Sequence, residues 1–190
     1  MKKLLLVFTC LVFSMTVLKG QTKLSMKFVA SDTSFKAATL DYEKIWKEDG
    51  DKIVKMMEEM SGLKFMDTAI TVIVFEGISE SGYNTKTPMK LRASYSYKTK
   101  KATIIHELGH RLHFSMKKFP PTYNDHVMLF LYLYDVWVTL YGKEFADEQV
   151  LIEGKRGSAE NNYKAMWAET LSLTEKERAD KLKKIVKEYK

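Results

Sequence analysis

The stretch LRASYSYKTKKATIIHELGHRLHF, residues 91–114, joins a predicted strand directly to a predicted helix. In residues 91–97 apolar and aromatic side chains alternate with polar ones, which is the pattern of a strand with one exposed face. The helical pattern then runs from about Thr99 to Met116, and Pro120 and Pro121 block any continuation. The pair predicts an α+β fold in which this helix packs against a small sheet.

The rest of the chain has two further strand patterns and several helical ones. Strands are predicted over residues 24–29 and over the β-branched run AITVIVF, residues 69–75, which indicates a buried strand. Helices are predicted over residues 39–60, divided near residues 48–51, and over 126–141, 143–153, 160–173 and 174–190. The helix over 126–141 is apolar almost all round, so we expect it to be buried rather than to span a bilayer. The basic run of residues 98–101 is predicted to be a solvated face.

The amino terminus has the layout of a secretory signal peptide. Residues 1–20 begin with two lysines, continue with an apolar run and end near Gly20. Removing them predicts a single domain over residues 21–190 and lowers the formal charge from +7 to +4 by loss of three lysines, so no nucleic-acid partner is indicated. Cys10 is the only cysteine, which excludes disulfides, Cys-based metal sites and a thiol nucleophile from residues 21–190. We expect a secreted or periplasmic protein.

The sequence HELGH, residues 106–110, has the pattern H-E-x-x-H. On a helix, His106 and His110 lie one turn apart on the same face, so their imidazoles can converge on one cation. Glu107 is displaced by about 100° around the axis, where it can reach a metal-bound water without binding the metal. The pattern therefore predicts a zinc ion (Zn²⁺), with Glu107 as the general base that takes the proton of the attacking water.

Residues 91–110 resemble the zincin metallopeptidases, and in outline the resemblance covers about residues 70–170. It implies a zincin-like fold with a small mixed sheet, a rim strand that pairs with an extended peptide substrate, and a third zinc ligand on a later helix. By this resemblance His106 and His110 are zinc ligands, Glu107 is the general base, and residues 91–97 form the rim strand. The longer motif of the metzincin subgroup is not matched, because His113 and Met116 stand where that motif requires a Gly and a third His. Peptide deformylases are excluded because they need a Cys ligand.

His113 is predicted to lie outside the metal site. It follows His106 by seven residues, which is about 10 Å along a helix axis. We expect it at the surface, or in contact with the substrate or with the preceding strand.

The third ligand stays open at this point. Asp135 is the first choice, because it follows His110 by 25 residues and a carboxylate inside an apolar helix is unfavourable unless it binds a metal or another cation. The competing interpretation is a buried Asp135 held by Arg111 or by a ring hydroxyl. The setting of Asp135 resembles that of the ligand in gluzincins and aspzincins. Glu169 comes second and His126 third, and the remaining candidates are Glu144, Glu148, Glu153 and Glu160. His126, Tyr123, Tyr141 and Tyr163 are candidate donors to a developing oxyanion.

These patterns lead to one main hypothesis and two alternatives. The main hypothesis is an exported zinc metallopeptidase that acts on peptide or protein substrates. The first alternative is a non-catalytic binding protein with a zincin-like fold, at the cell surface or in the periplasm. An intact Glu107 argues against it, because a decayed enzyme readily loses its base. The second alternative is a structural helical protein without a metal.

Overall fold

The computed structural model describes residues 23–118, 124–157 and 161–189, and within them the chain is an α+β protein with a helical second half. The predicted signal peptide, the Pro120–Pro121 stop, Tyr123 and Glu160 lie outside these residues. The strands are β1 (Ser25–Ala30), β2 (Ala69–Phe75) and β3 (Met89–Arg92). The helices are α1 (Lys36–Ser61), α2 (Tyr97–His113), α3 (Asp125–Tyr141), α4 (Lys143–Glu153), α5 (Tyr163–Leu171) and α6 (Glu175–Tyr189).

The sheet has the order β1-β2-β3, and both strand pairs are parallel. The expected mixed sheet is therefore wrong for the three strands, and in the described ranges antiparallel pairing is limited to a bridge between Glu80 and Lys90. Strand β2 buries Ile70, Val72 and Val74, whereas Ala69 and Thr71 on its other face are exposed. The β-branched run is thus buried on one face and not on both.

Strand β3 is shorter than the predicted rim strand and ends at Arg92. Residues 93–96 form the turn into α2, whose first free N–H groups are capped by Ser96, with Thr99 N–H donating to its hydroxyl over 3.2 Å. The edge of β3 that faces away from β2 is already paired, because Lys90 exchanges backbone hydrogen bonds of 2.8 and 2.9 Å with Glu80. The expected pairing of β3 with a substrate is therefore replaced by pairing with the chain's own segment 79–80.

Helix α1 runs without a break through Gly50, so the predicted division near residues 48–51 is wrong. The ring of Trp46 covers Gly50, and a Cβ atom at that glycine would lie 2.9 Å from Trp46 Cδ2. Next to it, Asp49 accepts a hydrogen bond of 2.8 Å from Lys101 on α2. Lys100 is buried and donates to Asp41 over 2.6 Å. Part of the basic run thus joins α2 to α1 and is not a solvated face.

Helix α3 is the centre of the helical part and contacts α1, α2, α4, α5 and α6. Its prediction as a buried helix is confirmed by Leu129, Phe130, Leu133 and Trp137, which have no exposed surface. Gly109 of α2 lets the two helices approach closely, since a Cβ atom there would lie 2.2 Å from Leu129 Cδ1. The motif helix therefore lies directly against the start of α3. No helix among the described residues has both the length and the apolarity needed to cross a membrane.

Candidate metal centre

The two motif histidines lie one turn apart on α2 and point their Nε2 atoms at each other. The distance between these atoms is 3.2 Å. His106 is buried at 7% exposure, and the α2 segment around it is buried on almost every side. The close approach predicted from the i, i+4 spacing is therefore present.

The other ring nitrogen of each motif histidine contacts a carboxylate. His106 Nδ1 lies 2.7 Å from Glu153 Oε1, and His110 Nδ1 contacts Asp125 Oδ2. An ionised carboxylate can only accept, so each Nδ1 carries the proton and donates it. Glu153 is itself held by the indole N–H of Trp167, over 3.3 Å to Oε2. Carboxylates in this position fix the tautomer and the ring orientation of metal-binding histidines.

The carboxylate contacts leave both Nε2 atoms as acceptors. Two lone pairs at 3.2 Å repel each other unless a proton or a cation lies between them. Two nitrogens bound to one tetrahedral zinc, each about 2.0–2.1 Å from the ion, lie about 3.3 Å apart. The spacing and the tautomers of His106 and His110 therefore fit a metal ion.

His126, in the first turn of α3, is the third residue of a group that could hold a metal ion. One ring nitrogen of each of His106, His110 and His126 lies within 4.8 Å of those of the other two. His126 Nδ1 lies 3.2 Å from Asn124 Oδ1, and Nε2 lies 2.6 Å from Tyr163 OH, so a metal at Nε2 would replace the hydrogen bond from that hydroxyl. Burial, helped by the nearby charges of His106 and His110, lowers the pKa of His126 to about 3. His126 is therefore neutral near pH 7, the form that binds metals.

The structure does not bring Asp135 or Glu169 to the motif histidines. Asp135 accepts hydrogen bonds of 2.9 and 2.5 Å from Nε and Nη2 of Arg178 on α6. This is the competing interpretation of a buried aspartate held by a cation, with Arg178 in place of Arg111. Glu169 is exposed and lies 3.8 Å from Lys181 Nζ. Among the described candidates, His126 alone joins His106 and His110, and Glu153 lies behind His106.

His113 is buried, contrary to the expectation of a surface position. Its Nδ1 contacts Asp125 Oδ1, so Asp125 accepts from both His110 and His113. Burial opposes ionisation of Asp125, but the hydrogen bonds from His110 and His113 hold its pKa well below the usual range. His113 Nε2 lies 3.2 Å from Tyr132 OH. His110, His113 and Asp125 also form a second group close enough to hold a metal, but hydrogen bonds account for their short contacts.

Glu107 lies beside the three histidines and lines two adjoining cavities together with His106 and Tyr163. The larger, of about 330 Å³, is bordered by segment 79–83, and the smaller, of about 90 Å³, also contains Arg156 and Tyr95. Burial raises the pKa of Glu107, and the neighbouring His106, His110 and Arg156 oppose that shift. A carboxylate with a raised pKa is suited to receive and release a proton near neutral pH.

Three residues of the site have no local signal as strong as the motif. Asp125 and His126 are adjacent polar residues at the start of an apolar helix, and such a pair could have suggested a site at that helix end. Glu153 is the last residue of α4 and meets His106 across 47 positions of sequence, which no spacing rule predicts. Comparisons of the chain with protein-family models, curated proteins and solved structures found no match.

Proposed function

We propose that the chain is an exported zinc metallopeptidase with a zincin-like fold, in which His106, His110 and His126 hold the metal. The observation that carries the proposal is the pair of Nε2 atoms 3.2 Å apart, each on a ring whose Nδ1 faces a carboxylate. Three imidazoles with an open fourth position are a donor set that suits catalytic zinc.

Zinc bound by these residues would polarise a carbonyl and lower the pKa of water to about 7. Glu107 accepts the proton of the attacking water and delivers it to the leaving amine. Tyr163 lines both cavities, and its hydroxyl, which contacts His126 Nε2, would be released by metal binding at that nitrogen to donate to the developing oxyanion. An extended peptide fits along segment 79–83, which borders the larger cavity next to Glu107.

Export is part of the proposal and depends on the sequence. Residues 1–20 have the charge and hydropathy layout of a signal peptide, and residues 21–190 contain no cysteine. A peptidase in the periplasm or the medium would meet extended peptide substrates there.

The test compares purified residues 21–190 with the variants Glu107→Gln and Glu43→Gln, the second being an exposed acid on α1. We expect all three proteins to retain about one zinc per chain by mass spectrometry of metals. We expect Glu107→Gln to lower cleavage of a peptide library by about 10²–10⁴-fold, since it removes the general base, and Glu43→Gln to leave cleavage unchanged.

Each other outcome has a definite meaning. A wild-type protein that retains no zinc after purification without chelator contradicts the metal centre. Cleavage that survives Glu107→Gln contradicts the role of Glu107. Zinc retention without any cleavage favours the non-catalytic binding protein.

A further inference from the structure

The small cavity beside Glu107 contains a guanidinium group that the proposed chemistry does not use. Arg156 follows α4 in the turn after Glu153, and its N–H donates to the Glu153 carbonyl over 2.8 Å. The same short segment therefore carries the carboxylate that holds His106 and the arginine that lines the cavity.

The guanidinium of Arg156 is held in place but incompletely hydrogen-bonded. Its central carbon lies 4.3 Å from the ring centroid of Tyr95, in the turn before α2. Its Nη2 atom is buried and has no hydrogen-bond partner, and within the described ranges Arg156 forms no ion pair. A buried donor without a partner is unfavourable, so a bound acceptor there is favoured.

The cavity is large enough for such an acceptor. To hold one water molecule, a cavity must leave about 10–15 Å³ open to the centre of a water-sized sphere. This cavity leaves about 90 Å³. It shares His106, Glu107, Ser79 and Tyr163 with the larger cavity, so the two adjoin each other. A peptide lying along segment 79–83 can therefore place a terminal group beside Arg156.

We propose that Arg156 is a specificity-determining residue that binds a substrate carboxylate in this cavity, next to the bond to be cleaved. The inference rests on the proposed peptidase function and names its substrate class. An arginine fork pairs with a carboxylate through two parallel N–H···O bonds, which gives both affinity and orientation. The carboxylate is either the free carboxyl terminus of a peptide or an acidic side chain near the cleaved bond.

The test measures binding without turnover, in the zinc-loaded Glu107→Gln protein, by fluorescence anisotropy. Three labelled peptides of one core sequence are compared: the free acid, the amide, and the amide with one Glu next to the core. We expect one of the two carboxylate peptides to bind about tenfold more tightly than the plain amide, as for a charge-assisted hydrogen-bond pair. Tighter binding of the free acid would show that Arg156 binds the peptide's carboxyl terminus. Tighter binding of the Glu peptide would show that it binds an acidic side chain.

The variant Arg156→Gln should reduce that ratio to about one, and Arg156→Lys, which keeps the charge without the fork, should give an intermediate ratio. Arg92→Gln is the matched control, because Arg92 also lies near the Tyr95 ring but pairs with Glu76 and does not line the cavity. Circular dichroism and zinc content verify that each variant is folded.

Equal binding of all three peptides, or a preference that survives Arg156→Gln, overturns the proposal. In that case Arg156 only balances the charges of Glu107 and Glu153, and its loss changes binding of the three peptides equally. Failure of the peptidase function would appear separately, as zinc-loaded wild type that cleaves none of these peptides while the binding ratio persists.

Discussion

His126 and Asp135 lie nine residues apart on α3, so their side chains leave the helix about 180° apart and about 13.5 Å from each other along the axis. A single ion cannot take both. Because His126 lies with His106 and His110, Asp135 is directed away from them and toward Arg178. A carboxylate inside an apolar helix does need a cation, but its place in the sequence does not distinguish a metal from an arginine 43 residues further on.

This geometry gives a prediction on zinc affinity. His126→Ala should weaken zinc binding by more than the roughly 10–100-fold typical of losing an outer-shell partner, because it removes a ligand. Asp135→Asn should leave zinc affinity within about twofold but lower the free energy of unfolding by about 1–3 kcal/mol, since Arg178 loses a charged partner. Competition with a chromogenic chelator measures the first quantity, and urea unfolding measures the second. A larger loss of zinc affinity in Asp135→Asn would return the third ligand to Asp135.

At the scale of elements, the interface between α2 and α3 is the part of the site that residue spacing along a helix predicts least well. Asp125, the first residue of α3, accepts from His110 and His113 on α2, and Tyr132 contacts His113 from the next turns of α3. His113 is not one of the three histidines grouped around His106, and it is buried in the interface between the two helices. We interpret it as a positioning residue that holds Asp125 against the ligand His110.

Two substitutions of His113 test how this interface affects zinc affinity. His113→Leu removes the donor to Asp125 and should weaken zinc binding by about 10–100-fold, as loss of outer-shell contacts does. His113→Asn keeps a side-chain N–H near the position of Nδ1 and should recover most of that affinity. The visible spectrum of the cobalt-substituted protein should change in the Leu variant and not in the Asn variant.

A purely structural role for His113 would give a different result. Both variants would then unfold more easily, while zinc affinity and the cobalt spectrum would stay as in the wild type. Equal zinc affinity in the two variants would therefore contradict the positioning role.

Elements with a strong local pattern were predicted well. Helix α3 and strand β2 appear where their apolar patterns indicate, and α6 begins at a capping box in which Thr174 N–H donates to Glu177 Oε2 over 2.8 Å. The errors fall where distant contacts override local signals. Asp49, beside Gly50 in the continuous α1, accepts from Lys101 52 positions away, and segment 79–80 occupies the edge of β3.

At the scale of the molecule, the candidate centre joins four helices. His106 and His110 come from α2, His126 from α3 and Glu153 from the end of α4, and Tyr163 of α5 contacts His126. The apolar core touches the site at Phe130 but extends well beyond it, to fully buried residues such as Tyr42, Ile53, Val72 and Leu133. The motif pair could be predicted from helix periodicity, but the assembly of the other three elements depends on how α3 packs.

This arrangement predicts how the whole chain responds to metal removal. Because the apolar core does not include the ligands, the protein treated with chelator should keep its helical circular dichroism at 25 °C. A metal that binds only the folded chain stabilises it, by about 2.7 kcal/mol when the free metal is 100 times its Kd. Zinc should therefore raise Tm by several degrees, in proportion to the logarithm of its free concentration. In His126→Ala this rise should largely disappear, whereas in Asp135→Asn it should persist from a lower starting Tm. Calorimetry at graded zinc activity checks both, and a chain that unfolds outright on metal removal would show that the core alone does not hold the fold.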